Sequence, residues 1–354
     1  MTLKLNQYQQ LVWRTPFEAQ VGLSKNRVTL SELSLEEEKF IDALYLGIAP
    51  NQVDAVAKQS RVAVERAKKL IEQLEPLMLQ RIAEPHSQVN LLDVDRAMAE
   101  IVRASLNHGS DGELILIERS KRSVFVETLD STGLLLVNAL AAAGVGTIIT
   151  SDSSAVLNRD IGASGYPVAL LGKKRVTAIQ LMLHASHSTL RLVPPNRIRH
   201  KNLARVDLAF FTAQQIFDPR QYSRWATSTS AQFGINFNAM GAWLSGVIRL
   251  GETPCICCHD IGARERDASF QAVGLQLISS ALRFDDEATK LLAVGIAAQE
   301  ILNELDAVAG FAKRTAHRGF VVDRDAGLVS ETSWLRQNSC SCTMLEEQLA
   351  EQVA

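Results

Sequence analysis

Ser123-Val124-Phe125-Val126-Glu127, followed by Thr128-Leu129-Asp130-Ser131-Thr132-Gly133, reads as a buried strand passing through a short turn into a helix. Working outward, apolar residues fill a helix over Thr132–Ala143, and Gly144-Val145-Gly146 turns the chain. A second buried strand fits Thr147–Ser151, and Asp152 follows it. Strand, helix and strand at this spacing specify a parallel pair joined by a crossover helix, the unit from which a sheet covered on both faces is built.

The same alternation continues downstream. Strands fit Thr189–Val193, Val206–Phe211, Phe233–Asn238 and Trp243–Leu250, and helices fit Lys174–His184 and Asp218–Trp225. Two long helices are predicted over Asp267–Leu282 and Asp285–Asp306, the second capped by Asp285. A hairpin, Gly319–Val322 with Gly327–Glu331, leads toward Cys340. Upstream, Glu113–Glu118 reads as a further strand and Val94–Ser105 as a helix. The fold class is therefore α/β, with a Rossmann-like, mostly parallel sheet and helices on both faces.

Residues 1–80 form a separate pattern. Phe17–Leu23 and Arg27–Leu33 flank the turn Ser24-Lys25-Asn26 as a hairpin. Ser34 with Glu37 makes a capping box for a helix through Leu44, and a short helix fits Asn51–Lys58. Val64, Ala67, Leu70, Ile71 and Leu74 recur at helical spacing. Strands followed by three short helices suggest a winged-helix-like module, joined by a linker over 81–93 to the main domain over 94–354. A helix-turn-helix DNA reader can be drawn from Asn51 to Leu74. Residues 51–82 carry six basic against four acidic side chains, and a net of +2 is a thin footprint for phosphates.

The whole chain of 354 residues has a formal net charge of −2, which argues for neither nucleic acid nor an anionic membrane as partner. Its start, MTLKLNQYQQLVW, lacks the basic region and apolar run of a signal peptide, so a cytoplasmic location is expected. The apolar run from Gly133 to Thr150 is interrupted by Asn138 and the Gly-Val-Gly turn and reads as helix plus strand, not as a membrane span.

All five cysteines lie in the last third of the chain. Cys255-x-x-Cys258 and Cys340-x-Cys342 are two close-spaced pairs on distant segments, the arrangement by which a chain supplies four thiolates to one zinc ion at about 2.3 Å. Four thiolates leave no open coordination position, so such a zinc is structural. Cys257 is left over, and His259 is a surface or neighbouring residue before it is a ligand. His108, His184, His187, His200 and His317 are scattered, and no serine–histidine–acid arrangement emerges.

In a Rossmann unit, glycines let the backbone approach phosphates at a helix N-terminus. Here only the last glycine of that pattern remains, at Gly133, and Asp130 puts a negative charge where phosphates would sit. Asp152, after the second strand, either accepts a ribose hydroxyl or caps a turn with Ser151, Ser153 and Ser154.

Val124-Phe125-Val126, Gly133, the run Ala141 to Gly146 and Asp152 resemble the core of the ThiF and ubiquitin-activating-type adenylyltransferases. Gly172-Lys173-Lys174-Arg175 is similar to the family's Gly-x-x-Lys segment, with Arg175 at the lysine place. Thr253 to Asp260, continued by Arg264-Glu265-Arg266-Asp267, resembles the first zinc pair. The likeness is closest to ThiF-like proteins of thiazole/oxazole-modified peptide clusters and related actinobacterial proteins, where the second pair is also Cys-x-Cys.

The resemblance implies ATP and magnesium as cofactors, a peptide or small-protein C-terminal carboxylate as substrate, nucleotide contacts at Gly133, Asp152 and Arg175, and, by analogy, a homodimer. It also implies a magnesium-handling aspartate after Asp207-Leu208-Ala209-Phe210-Phe211, where the sequence runs Thr212-Ala213-Gln214 instead. The sequence thus favours an eroded ATP site and a peptide- or protein-binding component. An active adenylyltransferase using Asp152 and Arg175, and a DNA-binding regulator, stand as alternatives.

Overall fold

The structure is a computed structural model that describes residues 2–23, 26–82, 94–184, 190–198, 206–225, 230–313 and 316–343. The chain divides into two compact units, Met1–Glu118 and Arg119–Ala354. The segment 83–93, read as linker, lies outside the described residues, as do Ser24, Lys25, His187 and His200.

In the first unit, β1 (Leu11–Thr15), β2 (Glu18–Val21) and β3 (Val28–Ser31) form an antiparallel sheet in that order. The hairpin read from the sequence is β2–β3, while β1 escaped notice because its LVWRT has no period-two alternation. Helix α1 (Leu35–Leu46) starts on the expected capping box: Ser34 Oγ accepts the Glu37 N–H at 3.2 Å, and Glu37 Oε2 accepts the Ser34 N–H at 2.8 Å. Helices α2 (Val53–Gln59) and α3 (Val64–Leu74) follow, with Ala67, Leu70 and Leu74 buried in the unit's own core. Next come α4 (Val94–His108) and α5 (Gly112–Ser120).

Helix α5 replaces the strand expected at Glu113–Glu118. A short apolar run fits a strand or a buried helix equally well by periodicity. Local chemistry decides here: the Asp111 carboxylate accepts the Glu113 N–H at 3.0 Å. Gly112 lets α5 start against α4, since a Cβ there would lie 2.1 Å from the Ile101 carbonyl oxygen.

The second unit is built on an eight-stranded sheet. In chain order its elements are β4 (Ser123–Val126), α6 (Ser131–Ala142), β5 (Thr147–Ile149), α7 (Arg175–His184), β6 (Arg191–Val193), β7 (Leu208–Gln214), α8 (Pro219–Ser223), β8 (Ala231–Asn238), β9 (Gly241–Leu244), α9 (Ile256–Arg266), α10 (Phe270–Ile278), α11 (Glu287–Val308), β10 (Gly319–Asp323) and β11 (Val329–Thr332). Strands lie in the order β11-β10-β9-β8-β7-β4-β5-β6. β4 to β8 pair in parallel, and β9, β10 and β11 extend the sheet antiparallel.

Alternation puts Val124 and Val126 in the core shared with Leu134, Leu136, Val137 and Leu140 of α6 and with Ala293, Ala297 and Ile301 of α11. Phe125 points to the other face and meets Trp225 with ring centres 5.1 Å apart. Arg119 and Asp306 form a fully buried ion pair at 2.6 Å. The Arg119 guanidinium also donates to the Ala143 carbonyl, which satisfies part of the donor set that burial would otherwise strand.

Two further boundaries differ from expectation. The strand read over Trp243–Leu250 stops at Leu244, because Gly246 takes a left-handed φ of 64° hard against the Arg318 carbonyl; Ile248 then rejoins Gln232 through a single bridge. Of Asp267–Leu282 only Phe270–Ile278 is helical, while α9 forms over the cysteine motif itself, whose ICCHDIGARER offers no apolar period to read. α11 begins at Glu287 with Asp286, not Asp285, as its cap. Among the described residues no helix is long and apolar enough to cross a membrane.

Candidate functional site

Strand order reverses on either side of β4, with β5 on one flank and β7 on the other. In open α/β sheets the crevice outside the carboxyl ends of such strands is where ligands bind. The turn from β4 into α6 lies there. Gly133 sits in the first turn of α6, where a Cβ would be 2.0 Å from the Thr128 carbonyl oxygen, so only glycine lets the helix approach its strand this closely. Asp130 is the helix N-cap. Its Oδ1 accepts the N–H groups of Thr132 and Gly133, each at 3.1 Å, and its Oδ2 accepts Arg283 Nη2 at 3.0 Å.

Arg283 is shared. Its Nε donates to Asp285 Oδ1 at 2.8 Å and its Nη2 to Asp285 Oδ2 at 2.5 Å. Burial works against the Arg283 charge, but Asp285 and Asp130 outweigh it and hold the guanidinium above its ordinary pKa. At the carboxyl end of β7, where the resemblance places a magnesium-handling acid, Gln214 binds the same segment. Its Nε2 donates to Asp285 Oδ1 at 3.2 Å and its Oε1 accepts the Phe284 N–H at 2.8 Å. An aspartate there could do only one of these. Gln215 beside it adopts φ 68°, a left-handed conformation that costs a non-glycine residue.

Asp152 and Arg175, predicted from distant segments, come together. Asp152 Oδ2 accepts the Leu129 N–H at 2.7 Å and Arg175 Nη1 at 3.0 Å, while its Oδ1 accepts the Ser154 N–H at 2.7 Å. Burial pushes the carboxyl up, yet these donors together hold Asp152 below the usual carboxylate range. The remaining Arg175 donors go to Asp160 Oδ2 at 2.7 and 3.1 Å. No motif singles out Asp160; a buried arginine in need of a second acid is the one signal for it. Tyr166 closes the group through its OH, which donates to the Leu129 carbonyl at 2.5 Å.

Glu127, at the end of β4, accepts Gln221 Nε2 at 2.8 Å, and burial pushes its carboxyl above the ordinary range. Two cavities flank this framework. One of about 510 Å³ is lined by Ser131, Arg159, Ile161, Arg283, Lys290 and Arg324 among others. One of about 390 Å³ is lined by Asp152, Ser153, Lys174, Thr177, Pro194 and Arg197 among others.

The second centre is the cysteine cluster. The sulfurs of Cys255, Cys258, Cys340 and Cys342 all lie within 4.8 Å of one another and all four residues are buried. Individual separations are 3.8 Å for Cys255–Cys258, 3.5 Å for Cys255–Cys340 and 3.4 Å for Cys258–Cys342. Tetrahedral zinc–thiolate bonds of about 2.3 Å require sulfur–sulfur edges of about 3.8 Å, so the donor set and spacing fit that ion. Hydrogen bonds from Cys255 and Cys342 and the Gln337 N–H hold the Cys258 thiol far below its ordinary range, whereas Cys255, as donor to Cys258, is held up.

Trp334 Nε1 donates to the Cys255 carbonyl at 3.1 Å. His259 lies outside the four and stacks on Trp243 at 4.5 Å, and His317 packs edge-on to Trp334 at 4.5 Å. Cys257 is half-buried at the edge of the cluster.

Comparison with solved structures gives this architecture its relatives. Escherichia coli MccB with MccA-N7isoAsn superposes with a TM-score of 0.66 at 15% identity, covering 97% of this chain and 99% of MccB. MccB with AMPCPP and MccA gives 0.68 at 13%, over 96% and 99%. PaaA gives 0.66 at 12%, over 94% of this chain and all of PaaA. MccB is a ThiF-type adenylyltransferase. The fold is ThiF-like. No protein-family model matches the sequence, and no curated protein matches it. At these identities the likeness is one of fold.

Proposed function

We propose that this chain is a ThiF-like peptide- or protein-binding component whose nucleotide crevice is closed by its own side chains, and whose C-terminal segment is held by a structural zinc. One observation carries the reading. The Asp130 carboxylate already takes the Thr132 and Gly133 amides that a phosphate would need, and Arg283 neutralises it.

The other parts agree. Arg175 is bound on two sides by Asp152 and Asp160, which leaves little of its charge for a ligand. Gln214 offers magnesium a neutral amide that is already committed to Phe284 and Asp285. Triphosphate and magnesium therefore do not fit the residues present, and no catalytic step is routed through them. For zinc the residues do fit: Cys255, Cys258, Cys340 and Cys342 would supply four thiolates, a closed site that stabilises and does not activate water.

A peptide partner is suggested by the solved MccB structures, which contain MccA. In the first unit, read as a winged-helix-like module, β1 and β3 are outer strands that could pair with an extended peptide. The apolar face of α3 is taken up in that unit's core, so recognition would rest on the strand edges.

The test is calorimetry of ATP·Mg with full-length protein of known zinc content. No detectable heat is expected. Micromolar binding, with pyrophosphate exchange on addition of a peptide, would instead establish the adenylyltransferase reading, which the cavity beside Asp152 favours.

A further inference from the structure

We propose that Cys257 is an oxidation site whose product is a disulfide to Cys340, formed by a hydroperoxide with release of the zinc ion. This rests on the structural-zinc reading of the four-cysteine cluster.

Four thiolates saturate a tetrahedral ion, so the fifth thiol of the chain has no place among its ligands. Yet Cys257 packs against the same cluster, and its sulfur is hydrogen-bonded to that of Cys340. It is also the one cysteine of the five that is not fully buried. An oxidant in solution therefore meets Cys257 first, and the sulfur beside it already belongs to a ligand.

The packing makes Cys340 the partner. Cys258 is the next residue along the chain, and adjacent Cα atoms lie about 3.8 Å apart, closer than the roughly 4.4 Å of a relaxed disulfide. Cys255 faces Cys258 and Cys340, and Cys342 faces Cys258. Cys257 sits in the first turn of α9, whereas Cys340 sits on a turn closed by its own N–H, which donates to the Gln337 carbonyl at 2.9 Å. Any movement needed to join the two sulfurs falls on that turn and not on the helix.

The chemistry is a two-electron oxidation in two steps. The Cys257 sulfur attacks one oxygen of hydrogen peroxide, the O–O bond breaks, and the thiol proton goes to the leaving oxygen, giving a sulfenic acid and water. The Cys340 sulfur then leaves the ion and attacks the sulfenic sulfur. The S–S bond forms, the S–O bond breaks, and the departing hydroxide takes a proton from solvent. Two sulfurs are oxidised, the peroxide ends as two waters, and the three remaining thiolates yield zinc to a chelator. Burial pushes the Cys257 thiol up, so the first step is slow and the site answers to sustained oxidant. The new bond still ties α9 to the C-terminal segment, so a metal staple is exchanged for a covalent one.

Full-length protein of known zinc content would be treated with hydrogen peroxide beside a chromogenic zinc chelator and quenched with catalase at intervals. Each sample would be alkylated without reduction and mapped by mass spectrometry. Zinc should appear at the rate at which the Cys257–Cys340 disulfide forms, and a reducing thiol with added zinc should reverse both. Cys257→Ser and Cys257→Ala should hold as much zinc as the wild type before treatment and release it about 10-fold more slowly. The map is made on the wild type, so it decides even if neither variant folds. Release from both variants at the wild-type rate, or a first disulfide between two of the four ligands, overturns the proposal and leaves the zinc reading intact. Protein that holds no zinc before treatment overturns both.

Discussion

Replacing Asp130 with glycine separates the two roles this residue plays. As an N-cap it satisfies two amides, but glycine is itself a tolerable cap and costs only a few tenths of a kcal/mol relative to aspartate. The lost ion pair to Arg283, a side chain 32% exposed that keeps Asp285, adds at most about 1 kcal/mol. For a unit of this size the melting temperature should therefore fall by only about 2–4 °C. The effect on anions should be far larger. A carboxylate about 4 Å from a bound phosphate opposes it by about 4 kcal/mol at an effective dielectric of 20, and the exchange also frees two amides and one guanidinium. Tripolyphosphate or ATP·Mg should bind Asp130→Gly roughly 10³-fold more tightly than the wild type, read by calorimetry in low salt. A stable, folded variant that still ignores polyphosphate would refute the idea that Asp130 is what closes the crevice.

Four other perturbations follow from named contacts. Cys340→Ser should lower the bound metal from about one ion per chain and destabilise the fold by several kcal/mol; a metal-free variant that melts with the wild type would end the zinc assignment. Gly133→Ala must push α6 off the Thr128 carbonyl, and an overpacking cost of about 3 kcal/mol should lower the melting temperature by about 6–12 °C. Arg119→Met leaves Asp306 charged and buried without its partner, so a loss of about 3–5 kcal/mol is expected in urea unfolding. Because the folded state holds the Asp152 carboxyl below its unfolded value, its contribution is full above the unfolded pKa of about 3.9 and fades as pH falls through the folded one. The stability gap between wild type and Asp152→Asn should accordingly be open at pH 7 and narrow on acidification, and a gap that widens in acid would contradict the arrangement.

Much of the second unit was legible because its strands are short, continuous apolar runs bounded by turns, as in β4 and β5. The clustering of the four cysteines was legible because two close-spaced pairs on distant segments are the pattern that brings four thiols together. Other features were not written in a local period. The α5 segment carries the same apolar run as a strand, and only Asp111 and the close packing at Gly112 make it helical. The predicted Asp152 and Arg175 do meet, but their common partner Asp160 and the Leu129 amide were set by tertiary folding. Arg283, Asp285 and Gln214 went unsuspected as a network because 70 residues separate Gln214 from Phe284 and no motif joins them.

The four cysteines also have a topological consequence. The contact between Cys255 and Cys340 spans 85 residues, and everything from α9 through β11 lies inside that span, including the stretch carrying Arg283 and Asp285. A metal bridging those sulfurs would turn an open tail into a closed ring, and by the chain-entropy relation for cross-links a ring of this length takes about 4–5 kcal/mol of freedom from the unfolded chain. The ion need not touch the crevice to govern it. It would limit how far the ring can swing and so how readily Arg283 leaves Asp130.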